Sequence, residues 1–168
     1  MWLLDDGALG DLARHVTPDG IWPSDLLALG ETVAMSARAD RSGRRQRWTA
    51  FQPALRVLRL MPDGPGYALL WGHLRVRHGC SAVHFGEHEA IALCHDHPHL
   101  IFVSRDKAAV YIALGELDRA RVATAFDVWR DLLDRSLIDT TTYDKLCDTT
   151  ARSDQGLPGV PRRFRTLP

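Results

Sequence analysis

The stretch from His84 to Ala109, HFGEHEAIALCHDHPHLIFVSRDKAA, constrains the fold more than any other part of the chain. Gly86 marks a helix start that carries Glu87 and Glu89, and an apolar helix face follows. The HDHPH segment, broken by Pro98, reads as the loop into a short strand from Leu100 to Ser104. Asp106 stands at the strand's exit, and Lys107 to Leu114 has helical spacing again. A short, wholly apolar strand between two helices belongs to a covered parallel sheet. In such sheets the C-terminal ends of strands and the N-terminal ends of helices frame the site, and here both positions carry acids.

The rest of the chain repeats this alternation. Trp2 to Leu4 form an apolar run ended by Asp5 and Asp6, and Gly7 to His15 have Leu9, Leu12 and Ala13 at helical spacing. One acid of the doublet can cap that helix while the other faces a site. Gly20 to Trp22 read as a second strand. Pro23 then opens a helix through about Ala37, with Leu26, Leu27, Leu29, Val33 and Met35 on its apolar face and Glu31 inside it. Ala54 to Leu60 is a strand or short helix, MPDGPG is a turn, and Tyr67 to Val76 is a helix that Gly79 ends. Arg121 to Ala123 read as a brief strand, and Thr124 begins a helix whose inward residues include Phe126, Val128, Trp129, Leu132 and Leu133. The expected fold class is therefore α/β: a single three-layer domain with a central, mostly parallel sheet flanked by helices. Its expected extent is residues 1–150, with a basic insert at about 38–51 and a Pro/Arg-rich tail over 151–168.

Composition removes several function classes. A formal net charge of +0 gives no global field toward nucleic acid or membrane, so a polyanion site must be a local patch. The three cysteines, Cys80, Cys94 and Cys147, form no C-x-x-C pair, which argues for reduced thiols. Two acids directly after the first apolar run are wrong for a secretory signal, and no window is long enough to span a membrane. The expected location is the cytoplasm. Neither a G-x-G-x-x-G nor a G-K-[ST] phosphate loop occurs, nor a G-x-S-x-G elbow. The local basic patch is RADRSGRRQR, with Arg38, Arg41, Arg44, Arg45 and Arg47 as candidate RNA-phosphate contacts. Trp48 and Phe51 follow, suited either to stacking on bases or to the core.

Two metal readings compete for the Glu87 region. His84, Glu87 and His88 spell H-x-x-E-H, the inverted zinc-peptidase motif, but a shared metal needs one continuous helix and Gly86 interrupts it. The other reading uses carboxylates alone: Asp5, Glu87 and Asp106 converge from strand exits and a helix start, with Glu31 reaching in. Such hard oxygen donors suit Mg²⁺ or Mn²⁺. Without an ion, clustered acids repel one another and hold raised pKa values; with one, they activate water against a phosphodiester. The expected chemistry is nuclease hydrolysis, with Asp5, Glu31, Glu87 and Asp106 as catalytic acids and Asp5, Glu87 and Asp106 as metal ligands.

These segments resemble the PIN-domain ribonucleases. LLDDGALGDLA is similar to that family's opening strand and first acid, and GEHEAIAL to the helix start of a branch related to VapC-type toxins. FVSRDKAAVYIALGE resembles the later strand, acid and helix, and VATAFDVWRDLLDRSLI the closing segment, where Ala123 and Ser136 replace the family's glycines. The resemblance implies a PIN-like domain and a Mg²⁺- or Mn²⁺-dependent endoribonuclease acting on RNA. It places Ser104 as a hydroxyl near the metal, and Glu89 as the alternative to Glu87; Asp6 is the secondary candidate beside Asp5. Its further implications are an antitoxin partner and a homodimer. The alternative is a catalytically impaired PIN-like scaffold that binds RNA or protein.

Overall fold

The computed structural model describes residues 1–17, 22–39, 49, 51–78 and 85–153. Its centre is a five-stranded, all-parallel sheet of β1 (Trp2–Leu4), β2 (Leu27–Gly30), β3 (Leu55–Leu58), β4 (Ile101–Ser104) and β5 (Val122–Thr124), in the order β3-β2-β1-β4-β5. The helices that cross between strands are α1 (Asp6–His15), α2 (Glu31–Ala39), α4 (Phe85–Asp96) and α5 (Lys107–Glu116). A composite helix, α3, precedes α4: Pro65–Leu69 is α-helical, Leu70–Leu74 is π-helical and Arg75–His78 is α-helical again. The chain closes with α6 (Ala125–Asp134) and α7 (Thr140–Ser153). The expected three-layer α/β domain is thus observed, with every pairing in the sheet parallel.

Alternation along the strands assigns the two faces. Trp2, Leu4, Leu27, Leu29 and Val103 join one core with Leu12, Phe51, Trp129, Leu132 and Leu146. Leu3, Ala28 and Phe102 join the other with Leu74, Ile91, Leu93 and Ala113. α4 is buried without interruption from His88 to Cys94, so it is enclosed on all sides rather than amphipathic. Arg121 closes its C-terminal end: the guanidinium donates to the carbonyl oxygen of Cys94 in the last turn and to those of His97 and Leu100 in the loop that follows.

The reading of residues 23–37 changes. The run read as a helix from Pro23 is a strand over Leu27–Gly30, and Glu31 is the first residue of the following helix rather than an interior one. Short apolar runs do not distinguish a buried strand from a buried helix; pairing on both sides with β1 and β3 decides for the strand. The suggested strand at 20–22 lies largely outside the described residues. Residues 140–153 form one continuous helix. Phe51 is fully buried, packed edge-on against Trp22 at 5.7 Å, and serves the core, not base stacking.

Candidate active site

The strand order reverses direction between β1 and β4, so the crevice at their C-terminal ends is the topological switch point of the sheet. Asp5 leaves β1 and N-caps α1: its Oδ1 accepts the Ala8 N–H at 2.6 Å. Its Oδ2 accepts the Ser104 hydroxyl at 2.5 Å, and the Ser104 Oγ accepts the Asp106 N–H at 2.9 Å. Ser104 is fully buried and thereby ties the exits of β1 and β4 together. Asp5 is 3% exposed, and this burial pushes its carboxyl up to about 6. The bonds from Ser104 and Ala8 oppose the rise, the Glu87 charge adds to it, and the Arg105 charge lowers it slightly.

Glu87 sits half-buried in the first turn of α4, where its charge acts on Asp5. Glu89 has a different task. Its Oε2 accepts the Thr32 N–H at 2.9 Å, so it caps α2 from a neighbouring helix. Gly30, just before α2, has no side chain with which to cap, and a Cβ there would stand 2.4 Å from that same oxygen. Burial raises the Glu89 carboxyl pKa, the Thr32 bonds lower it, and Glu31 raises it. Of the two glutamates, Glu87 is the one coupled to Asp5.

Glu31, displaced to a strand exit, lies on the same edge, but its Oε1 pairs with Arg59 Nη2 at 2.7 Å. Asp106 leaves β4 half-buried and caps α5, its Oδ1 accepting the Ala108 N–H at 2.8 Å. Asp6 is exposed in the first turn of α1. The fold therefore brings Asp5, Glu31, Glu87 and Asp106 to one edge of the sheet. Among the described residues, however, no three His, Cys, Asp or Glu side chains gather closely enough to form a ready metal-holding group.

Of the basic patch, Arg41, Arg44, Arg45 and Arg47 lie outside the described residues, as does Trp48. Arg38 is exposed in the last turn of α2, about 10 Å along the axis from Glu31, away from the acid edge. His84 of the H-x-x-E-H triplet is likewise outside them, and His88 is buried within α4.

Three neighbours of the site carry no signal of their own in the sequence. Arg105 pairs through Nη1 with Asp11 Oδ1 at 2.8 Å; the Thr150 hydroxyl donates to Asp11 Oδ2 at 3.0 Å. A buried Asp on an otherwise amphipathic helix and a Thr near the chain's end are joined only by the fold. Arg105 has no motif of its own, and only its place between Ser104 and Asp106 connects it to the site in the sequence.

No protein-family model matches this chain, and comparison with curated proteins and with solved structures likewise gives no match. Among the described residues no helix is long and apolar enough to cross a membrane.

Proposed function

We propose that the protein is a Mg²⁺- or Mn²⁺-dependent endoribonuclease whose acid pocket lies at the β1/β4 crevice. The observation that carries this reading is the Asp5 carboxyl at the topological switch point: burial pushes it up to about 6, and the Glu87 charge adds a smaller rise. An arrangement that costs stability when both acids are ionised is one that a divalent ion relieves. The donors are all oxygen, which fits a hard cation, and Mg²⁺ is commonly held by one or two carboxylates while keeping several waters. Asp5 and Glu87 would hold it, with Asp106 available from β4. The bound ion supplies a lowered water pKa and neutralises charge developing on a phosphodiester.

The chain's own residues prepare that step. Ser104 donates to Asp5 Oδ2, holding the carboxylate in one orientation, and the Ala8 N–H fixes the other oxygen. Glu89 keeps α2 docked and so sets where Glu31 leaves the sheet. A toxin role with an antitoxin partner, and a homodimer, extend this reading through the resemblance to PIN-domain proteins.

A second reading is favoured by specific contacts. Glu31 is paired with Arg59, Asp106 is engaged as a helix cap, and among the described residues no three acids form a closed set, as in a scaffold that binds RNA or protein without cutting it. One experiment separates them: single-stranded RNA is incubated with the protein and Mn²⁺, beside Asp5→Asn and Asp106→Asn. We expect cleavage by the wild type and a loss of at least about 10²-fold in Asp5→Asn, the scale of removing a principal catalytic group. RNA binding without cleavage selects the scaffold, and equal cleavage by all three proteins removes the acid site altogether.

A further inference from the structure

Arg105 is held at the acid edge by a buried anchor. Its Nη1 donates to Asp11 Oδ1 at 2.8 Å, and Asp11 is only 1% exposed. The other Asp11 oxygen accepts the Thr150 hydroxyl at 3.0 Å, and the Thr150 Oγ accepts the Trp129 Nε1–H at 3.0 Å. The anchor thus reaches through α1 to α6 and α7. Gly7 supplies the room: a Cβ there would stand 2.5 Å from Arg105 Nε and 2.9 Å from its Cγ. The arginine stem therefore crosses the first turn of α1 where a Cβ would force it to shift.

Structural need alone is a weak account of this assembly. Burying Asp11 is costly, and an apolar residue at such a position is often as stabilising as an ion pair. What the anchor achieves is a fixed guanidinium between the exit of β4 and the first turn of α1, one residue along the chain from the Ser104 that bonds Asp5, with 32% of the Arg105 side chain still accessible to solvent. A guanidinium has five N–H donors in a planar fork, and among the described residues the Asp11 contact engages Nη1 alone. That fork matches paired phosphate oxygens, and a polyanion approaching a sheet edge that carries carboxylates meets less repulsion where a fixed cation stands among them.

We propose that Arg105 is a phosphate-contact residue of the acid edge, gripping a phosphodiester of a single nucleic-acid strand, and that Asp11 and Thr150 are positioning residues that hold its guanidinium in place. The substrate class rests on the ribonuclease reading, but the contact is tested without catalysis. A fluorescein-labelled single strand of deoxyribonucleotides is titrated with the full chain in EDTA across a salt series. Arg105→Gln is expected to weaken binding about 10-fold and to reduce the slope of log K against log salt by about 0.7, the release of one counterion on a single strand. Arg105→Lys restores the slope and only part of the affinity, because charge returns without the fork. Gly7→Ala, which displaces the guanidinium and keeps its charge, weakens binding less than Arg105→Gln.

Unchanged affinity and slope in Arg105→Gln would overturn the proposal, whatever happens to its melting temperature, and so would undetectable binding by the wild type. The two readings fail separately. Asp5-dependent RNA cleavage with Arg105-independent binding sinks only the phosphate contact, whereas Arg105-dependent binding by a protein that never cleaves RNA sinks only the ribonuclease.

Discussion

At the scale of single residues, Asp5 carries the clearest consequence. Its folded pKa of about 6 lies above the ordinary carboxyl value of 3.8, so folding favours the protonated form. That contribution is fully present below about pH 3.8 and is lost as pH rises through about 6, leaving an ionised, buried carboxylate that costs about 3 kcal/mol at neutral pH. Asp5→Asn removes the ionisation and keeps one acceptor. In metal-free buffer the variant should melt above the wild type at about pH 7.5, and the difference should shrink toward about pH 4. Thermal melts across that range check it; a pH-independent difference would refute the assignment. Ser136 is a second such residue. It has φ 57°, in the left-handed region, just beyond α6, where its N–H bonds Leu133 O at 2.8 Å and the Leu137 N–H bonds Leu132 O at 2.9 Å. This is a Schellman ending that favours glycine. Ser136→Gly should stabilise the fold by about 0.5–1 kcal/mol, read by urea unfolding at constant m-value.

At the scale of elements, the segments with strong apolar patterns or clear caps were legible in the sequence. β1, β4 and α4 occupy close to their expected spans, and Thr124 with Asp127 forms the capping box that opens α6. Where local pattern and tertiary pairing disagree, pairing wins, as in Leu27–Gly30. α7 shows the opposite failure, since TTTYDKLCDTTARS has too few apolar residues for its period to stand out. What holds it is one fully buried leucine, Leu146, with Thr150 bonded to Trp129 and Asp11, and Thr149 meeting His15 Nε2 at 2.7 Å. Leu146→Ala should therefore cost about 2–5 kcal/mol, an effect expected of a core position and not of a loose tail. A chemical-denaturation midpoint within error of the wild type would contradict that packing.

At the scale of the whole molecule, the candidate site exists because five parallel strands end at one edge. Asp5, Glu31 and Asp106 follow three different strands, and Glu87 opens the helix that returns to β4, so acids separated by up to about a hundred residues in sequence share one rim. If a divalent ion binds there, about 1 mM Mn²⁺ should raise the melting temperature of the wild type and leave Asp5→Asn nearly unmoved, since only a ligand of the native state stabilises by mass action. An equal rise in both proteins would place the ion elsewhere.

By itself the sequence determined the α/β class, the parallel sheet, the strand-exit positions of Asp5 and Asp106 and the helix-start position of Glu87. These depend on local period, caps and burial, which neighbouring residues encode. Only the tertiary structure decided that Glu31 begins a helix after a strand, that Glu89 caps α2 while Glu87 acts on Asp5, and that Arg105 is pinned by Asp11 and Thr150. Those outcomes depend on hydrogen bonds and electrostatics between segments far apart in the chain, where a carboxylate's role is set by the donor that folding brings to it.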